Sequence, residues 1–579
     1  MIMRKMLLGA ALLALTVTSC VSLPTEEVGT PSGSDDAQSG GVIKVGILQP
    51  RSLDPADASD PASQLVVRTM CDSLLLTDAV TGELVPGISD EWTPNANYGG
   101  TRILLSLRED VYFPDGTQVD ARTVVDSLSR LAREETAGSM ATLLRDVQGY
   151  DHIRGETEDP PDRSTEYLTG VRVSDPFGLE IVLPRLEDAG WVRRLANAAT
   201  AIVDDEAARA DPLRFARQPV CAGPYQLAAP WNPGDPIIRL VRNEHYNGSP
   251  AGYTADGAGY ADEIHFYTFA TPEEAHQAYV DGWVDIVQPL PAERAAISEA
   301  EPDNYVTGND PLMVYVGLPW QPGNLFEDPE VRLALSRGLD RQAIADTAYA
   351  GGAVPATGFL PPLVGPAYHE DACPDQLPAV PDTDSAPAAL DGQTVPLYFY
   401  DGYPANALVA DQVVAAWAAY GLTVEPTPLP EEDFLAMAEG GFDGPFLTGW
   451  DGDRMGTPEE YLQSLVVTGE AANVARFSDP VLDRYFINDV TPFGGQAGPG
   501  LDVEEEQLIA LERAEQRVCE LMPVIPVVSM RSHWLVRAEA LGSARESVLD
   551  RFGEPALREV WVEPQPTEEA TTDAPTTES

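Results

Sequence analysis

The chain has 579 residues, of which 44% are hydrophobic, so it can bury more than one core and is not a wholly disordered protein. Its 36 basic and 92 acidic residues give a net charge of −56. Such a surface repels phosphate backbones, which excludes nucleic acid as a partner, and it favours cationic over anionic ligands.

The N-terminus has the features of an export signal. Two basic residues precede an apolar run over 7–17, which is too short to cross a bilayer comfortably. The run ends in Val-Thr-Ser-Cys, which resembles the lipobox of bacterial lipoproteins and makes Cys20 the expected lipidation site. We therefore expect a signal peptide over 1–19, a flexible tether over 20–40, and lipid anchoring to the outer face of the cell membrane. Residues 563–579 are predicted to be a disordered acidic tail.

Strand and helix patterns alternate through the first half of the chain. Asp120 is a good helix N-cap, and apolar residues follow it at helical spacing. In chain order, the predicted elements are strands over 41–49 and 102–107, a helix after Asp120, strands over 237–241 and 263–269, a helix over 275–279 and a strand over 283–287. This mixture predicts an α/β fold.

The second half contains a βαβ pattern. Strands are predicted over 395–400 and 422–424, with a helix over 405–420 between them and Gly421 at its C-cap. One face of that helix is predicted to be buried and comprises Leu408, Val409, Val413, Ala416, Trp417 and Tyr420. The unit implies a parallel strand pair with a right-handed crossover.

The stretch GWDGDRMGTPEEYL, residues 449–462, joins a strand to a helix. Residues 445–450 are predicted to form a buried strand, and Thr457 is predicted to cap a helix that begins at Pro458. The acidic loop between them therefore follows the carboxyl end of a strand, which is the edge where open α/β sheets bind ligands.

The carboxylates of this loop fit some chemistries and not others. A calcium loop beginning at Asp451 would place Met455 and Leu462 where oxygen ligands are needed, so no metal site is expected. The chain lacks the common nucleophile, zinc and phosphate-loop motifs, so neither an enzyme nor a cofactor is expected. Two interpretations of Asp453 stay open: it stabilises the N-terminus of the following helix, or it binds a cationic ligand.

Four cysteines remain besides Cys20, and export permits disulfides between them. Cys71, Cys221, Cys373 and Cys519 allow three sets of two pairs, and spacing alone does not choose among them. No C-x-x-C pair is present, so a redox or zinc motif has no support.

Ten short segments follow one another in a recognisable order. They are SLDPADASD (52–60), RILLSLREDVYFPDGTQVDARTVVDSLSRL (102–131), PVCAGPYQL (219–227), LVRNEHYNG (240–248), YADEIHF (260–266), AYVDGWVDIV (278–287), LFEDPEVRLALSRGLDRQAI (325–344), PATGFLPP (355–362), GWDGDRMGTPEEYL (449–462) and PVIPVVSMRSHWLV (523–536). In this order they resemble the extracytoplasmic solute-binding proteins of the bacterial peptide/nickel ABC-transporter family, family 5. Each segment is weakly specific, but the series extends across nearly the whole folded body.

The resemblance implies an α/β, two-lobed periplasmic-binding-protein-like fold of class II. The first lobe is expected to carry an extra subdomain, and the ligand is expected in the interlobe cleft. Lobe I is expected over 41–310, lobe II over 311–527, and a return to lobe I over 528–562. The chain is expected to cross between the lobes near 308–313 and again near 525–530.

These lobes also favour one set of cysteine pairs. Cys71 with Cys221, and Cys373 with Cys519, would each fall within one expected lobe or its seam. We therefore expect those two disulfides.

The resemblance assigns residues to the ligand as well. In peptide-binding members, the aspartate of a W-x-x-D segment pairs with the α-ammonium group of the peptide, and the matching residues here are Trp450 and Asp453. The other expected contacts are backbone groups of Gly449, Asp451 and Gly452 along an extended peptide, Leu48 and Gln49 on the first-lobe wall, and Tyr315 just past the first crossing. Some members hold the ligand carboxylate with a basic residue shortly before this tryptophan, whereas GGFDGPFLT contains none.

The resemblance predicts a monomeric substrate-binding lipoprotein and not an enzyme. Such a protein would capture di- to oligopeptides and deliver them to the membrane permease of an ABC importer. Two alternatives remain: the same fold binding an oligosaccharide, a nickel chelate or a siderophore, and a surface hydrolase built on paired carboxylates.

Overall fold

Strands from both halves of the chain join in one long mixed sheet. The computed structural model describes residues 40–79, 82–94, 102–133, 136, 139–155, 166–183, 189–248, 259–383, 386–452, 457–470, 472–486, 503–538, 540–541 and 548–562. The strands there are β1 (Val42–Leu48), β2 (Leu75–Thr77), β3 (Leu84–Pro86), β4 (Ser89–Pro94), β5 (Arg102–Leu107), β6 (Val171–Asp175), β7 (Gly178–Val182), β8 (Tyr225–Leu227), β9 (Ile237–Arg242), β10 (Glu263–Phe269), β11 (Ile286–Val287), β12 (Tyr305–Gly317), β13 (Ala353–Pro355), β14 (Thr394–Tyr400), β15 (Thr423–Leu429), β16 (Phe446–Trp450) and β17 (Val524–Val536).

Helices cover the sheets and fill the connections between strands. They are α1 (Pro61–Met70), α2 (Ala121–Ala132), α3 (Tyr150–Ile153), α4 (Asp205–Ala210), α5 (Pro212–Phe215), α6 (Pro272–Val280), α7 (Arg294–Ala300), α8 (Pro329–Arg337), α9 (Arg341–Tyr349), α10 (Pro404–Ala418), α11 (Glu431–Gly440), α12 (Pro458–Val466), α13 (Pro480–Tyr485) and α14 (Val503–Leu521). The α/β class predicted from the sequence is confirmed.

The described strands form three sheets. The largest has the order β15-β14-β16-β12-β17-β11-β1-β10-β9-β8, with β13 added beside β17. A second sheet has the order β4-β5-β7-β6, and β2 and β3 form a separate pair. The predicted βαβ unit is present as β14-α10-β15, because β14 and β15 pair in parallel.

Two long neighbouring strands, β12 and β17, run through the centre of the large sheet. They pair antiparallel over their first stretch, from Tyr305 opposite Leu535 to Asn309 opposite Arg531. The register then breaks and resumes with Met313 opposite Ser529. The chain therefore passes twice between the two ends of the sheet, side by side, at an irregular segment of backbone.

The buried apolar residues form separate cores on either side of this irregular segment. One core is built from residues between Met313 and Val528, and we call this part lobe II. A second core, lobe I, combines residues from Ile43 to Val306 with residues from Trp534 to Val560. A third core, which lies around the four-stranded sheet, uses residues from Ala56 to Ala222, and we call it the subdomain.

Buried ion pairs connect the subdomain to lobe I. The carboxylate of Asp54 faces the guanidinium of Arg130 in a two-point contact, with Oδ1 2.9 Å from Nη1 and Oδ2 bonded to Nη2. The Arg130 guanidinium also lies over the ring of Phe215, 4.9 Å from its centroid. A second pair joins Arg133 to Asp205 at 3.0 Å. Arg130 lies in the last turn of α2 and Arg133 is its C-cap residue, and the first turn of α2 is capped by Asp120 as the sequence predicts.

The four cysteines described form two disulfides. Cys71 is bonded to Cys221 in the core of lobe I, and Cys373 is bonded to Cys519 in lobe II. These are the pairs that the expected lobes favour. Each closes a long loop, with sequence separations of 150 and 146, so each restricts the unfolded chain strongly.

Two local predictions were wrong. The strand expected over 283–287 is only Ile286–Val287, and Trp283 is 64% exposed, because the turn at Asp281 and Gly282 continues into the following residues. On α10, Leu408 is 45% exposed instead of buried, whereas Val413 and Trp417 of the same predicted face lie in the lobe II core.

Candidate functional site

The carboxyl ends of parallel strands in both lobes point toward the crossing of β12 and β17. In lobe I, β11 is antiparallel to β17, with Val287 opposite Leu535, and β1 runs parallel to β11. In lobe II, Trp450 at the end of β16 lies opposite Met313, where β12 enters the lobe. Ligands of α/β sheets bind at such carboxyl edges. The two edges therefore define a candidate ligand cleft between the lobes.

The lobe II wall of this cleft contains residues 449–452 of the predicted segment. Gly449 is exposed and lies opposite Val314 in the strand pair. The side chain of Trp450 is partly buried and packs against the lobe II core. Asp451 is half-buried and Gly452 is buried. The structure therefore brings these four residues together beside the first crossing. Asp453 lies outside the described residues.

Tyr461 of α12 fixes the position of this loop. Its hydroxyl donates to the carbonyl oxygen of Pro311, at 2.6 Å, and lies 3.1 Å from the carbonyl oxygen of Asp451. Gly452 adopts a φ of 61°, and a Cβ there would lie 3.0 Å from the Tyr461 ring. One buried hydroxyl thus joins the crossing segment to the acidic loop, and the close approach of the ring explains the glycine.

Tyr315 lies in the lobe II core. It is 3% exposed and packs edge to face against Phe446 in the lobe II core, with ring centroids 6.4 Å apart. Burial raises the pKa of its hydroxyl. Residues 313–317 of this strand are all buried, so both of its faces are covered there, and a ligand contact of the Tyr315 side chain stays a prediction.

The lobe I wall follows the end of β1. Leu48 is 45% exposed. Gln49 donates from Nε2 to the Thr268 hydroxyl at 2.9 Å and accepts from the Gly234 N–H at 3.3 Å, so its side chain is held in place. A cavity of about 320 Å³ opens beside these residues, and its lining includes Leu48, Gln49, Arg51, Val287, Gln288 and Trp534.

Arg551 and Arg145 are among the described residues that join the two sides of the cleft without using β12 or β17. Arg551 donates to the carbonyl oxygen of Gly82 at 3.0 Å and to that of Leu363, in lobe II, at 3.1 Å. Arg145 of the subdomain lies 3.1 Å from Glu470 of lobe II. Burial, and secondarily the nearby charge of Arg193, lowers the pKa of Arg551. These arginines bridge the lobes in the conformation described.

The described residues contain no group of three or more histidine, cysteine, aspartate or glutamate side chains arranged to hold a metal ion. No helix among them is both long and apolar enough to cross a membrane.

Changing Tyr461 to phenylalanine is expected to weaken ligand binding through the loop it holds. The change removes the donor shared by Pro311 and Asp451, which we expect to cost about 1–3 kcal/mol in the stability of lobe II. Displacement of the acidic loop is expected to lower ligand affinity about tenfold. Tyr485→Phe is the matched control, because its hydroxyl donates to Ala510 on another part of the same lobe. Calorimetric titration with the ligand should show reduced affinity in Tyr461→Phe but not in Tyr485→Phe. An equal loss of affinity in both variants would contradict a positioning role for Tyr461.

The sequence did not predict the contacts that Arg551, Arg145 and Tyr461 make. Tyr461 stands inside the recognised 449–462 segment, but a helical tyrosine at that spacing gives no sign of which carbonyl it reaches. Arg551 approaches Leu363 across 188 residues of chain. Only the tertiary fold makes such contacts visible.

Comparison with known proteins agrees with this architecture. The family model described as bacterial extracellular solute-binding proteins, family 5 Middle, matches residues 83–473. The glutathione-binding protein GsiB of Escherichia coli O157:H7 is 28% identical over 317 residues, 54% of each chain, so this chain matches about half the length of that curated relative.

Solved structures show the same fold. The unliganded open form of the periplasmic murein tripeptide binding protein MppA has a TM-score of 0.70 at 20% identity, covering 91% of this chain and 98% of that one. Haemophilus influenzae OppA in complex with RPPGFSPFR has a TM-score of 0.64 at 18% identity, covering 91% and 99%. The family model spans more than half of the sequence, from the subdomain into lobe II, and the chain therefore belongs to the bacterial extracellular solute-binding proteins of family 5.

Proposed function

We propose that this protein is the substrate-binding component of an ABC importer and that it captures peptides in the interlobe cleft for delivery to a membrane permease. The observation that carries the proposal is the meeting of two strand edges at one cleft, with residues 449–452 on one wall and the end of β1 on the other. The names of similar proteins support it, since GsiB is described as glutathione-binding and OppA was solved with a peptide.

In this proposal an extended peptide lies between the two walls. Asp453 accepts hydrogen bonds from the α-ammonium group, and the exposed backbone at Gly449 pairs with the peptide in the manner of an added strand. The lobes, 41–310 with 528–562 on one side and 311–527 on the other, close over the ligand by bending at the irregular crossing. Closure removes water from the ammonium–carboxylate contact, which strengthens it.

The N-terminus is proposed to anchor the protein. The lipobox-like segment ending at Cys20, which lies outside the described residues, supports lipidation of that cysteine after removal of 1–19. Cys20→Ala is expected to release the protein from the membrane fraction into the medium. Membrane fractionation after a salt wash measures this, and a variant that remains bound would refute the lipid anchor.

The binding function is tested on the protein purified in its native state. Mass spectrometry of the released ligand is expected to detect intact peptides, and calorimetry with glutathione, trialanine and pentaalanine is expected to show saturable binding. If the released ligand is instead a sugar, a nickel chelate or a siderophore, the protein binds that class of solute and the proposed peptide ligand is wrong. Recovery of cleavage products alone, together with turnover of added peptide, would instead identify a hydrolase.

A further inference from the structure

Arg51 holds an unusual position on the lobe I wall. It follows β1 at the carboxyl edge of the sheet, and its backbone N–H lies 3.2 Å from Oδ2 of Asp60 and 3.1 Å from the hydroxyl of Ser63. These contacts tie the backbone of Arg51 to the first turn of α1. The side chain is exposed and lines the cavity of about 320 Å³ beside Leu48 and Gln49.

The guanidinium of Arg51 makes no hydrogen bond or ion pair with any residue that the structure describes, although two carboxylates line the same cavity. The Asp60 carboxylate is already used, because it accepts from the N–H and the hydroxyl of Ser63 and caps α1. Glu554 lies instead 3.8 Å from Arg68. The positive charge of Arg51 is therefore available to the contents of the cavity.

A second polar side chain lies at the same edge. Gln288 directly follows β11, and the parallel register of Val45 with Ile286 places it level with Ile47, one residue before Leu48. Its side chain is exposed, lines the cavity, and has no hydrogen bond within the described part of the chain. The remaining lining is largely apolar and includes Leu65, Pro272 and Val287. Few polar groups on an apolar wall are typical of sites that orient a ligand.

We propose that Arg51 is a specificity residue that binds a carboxylate of the peptide, with Gln288 donating a hydrogen bond to the same group; this rests on the proposed peptide-binding function. A planar guanidinium matches a carboxylate in two-point geometry. The protein as a whole repels anions, since its net charge is −56, so a carboxylate needs a local cation to remain in the cleft. Arg51 on lobe I thus supplies the positive charge that is absent from the residues preceding Trp450 on lobe II.

The carboxylate has two sources in a peptide, the C-terminus and an acidic side chain. The probes that distinguish them are trialanine against its C-terminal amide, and Ala-Glu-Ala-amide against Ala-Gln-Ala-amide. Each is titrated calorimetrically into the natural protein and into Arg51→Gln. Loss of a charge-assisted hydrogen bond is expected to weaken binding of the carboxylate-bearing peptide about 10- to 100-fold in the variant. The neutral peptide of the same probe pair is expected to bind the natural protein and Arg51→Gln with equal affinity.

Two further variants make the test specific. Arg513→Gln removes another exposed arginine, on α14 of lobe II, and is expected to leave every affinity unchanged. Arg51→Lys keeps the charge without the planar fork and is expected to recover part of the affinity.

The outcomes separate this proposal from the proposed function. If the peptides bind the natural protein but Arg51→Gln affects charged and neutral forms alike, the carboxylate assignment is overturned while peptide binding stands. If trialanine, pentaalanine and glutathione all fail to bind and no peptide is released from the native protein, the proposed function fails and the assignment of Arg51 fails with it.

Discussion

Asp54→Ala is expected to lower the local stability of the junction between lobe I and the subdomain by about 3–5 kcal/mol, because it leaves the buried guanidinium of Arg130 without its carboxylate. The side chains of Arg130 and Asp54 are 9% and 10% exposed, and the pair makes two parallel hydrogen bonds. Asp54 also accepts from the N–H of Ala56, so its removal opens the turn that follows β1. A protein with several cores does not unfold in one step, so we choose hydrogen exchange of residues 53–56 and 124–133 as the measurement.

A neighbour provides the control for this prediction. Asp57→Ala removes an exposed carboxylate from the same short segment and is expected to change local stability by less than about 0.5 kcal/mol. The double variant Asp54→Leu with Arg130→Met removes both charges and is expected to be more stable than Asp54→Ala alone. If the double variant is the less stable of the two, the unpaired buried charge is not the source of the loss.

Local signals in the sequence predicted most of the fold. Asp120 caps α2 because a short carboxylate at that position reaches the N–H groups of the first turn, which is a local contact. The βαβ unit of lobe II was predicted from periodicity for the same reason. Periodicity failed for Leu408, since the exposure of this side chain depends on what packs against the helix from elsewhere in the chain.

The candidate site was predicted less completely than the fold. The resemblance predicts a ligand wall at Leu48–Gln49 and another at Gly449–Gly452, and the strand register places both segments at the crossing of β12 and β17. The contacts of Tyr461 with Pro311 and of Arg551 with Leu363 join residues far apart in sequence, and no local pattern encodes them. The sequence also left open whether Asp453 serves the helix or the ligand.

Asp453→Asn is expected to leave the protein folded and to weaken peptide binding roughly 30- to 5,000-fold. The substitution keeps the size of the side chain and removes the charge that would meet the peptide ammonium group. In a closed cleft, loss of one member of such a pair costs about 2–5 kcal/mol. If Asp453 only stabilises the N-terminus of α12, the free energy of unfolding falls by less than about 1 kcal/mol and affinity is retained.

Asp433→Asn provides the matched control, because Asp433 is exposed in the first turn of α11 in the same lobe and represents the purely helical role. N-acetylation of trialanine removes the ammonium charge from the ligand. It is expected to weaken binding to the natural protein and to Asp433→Asn by a comparable factor, yet to have little effect on Asp453→Asn. A calorimetric double-mutant cycle between residue 453 and the peptide amine therefore measures their coupling directly. A coupling energy near zero in folded protein would show that the ammonium group binds elsewhere, whereas a value of about 2 kcal/mol or more would assign it to Asp453.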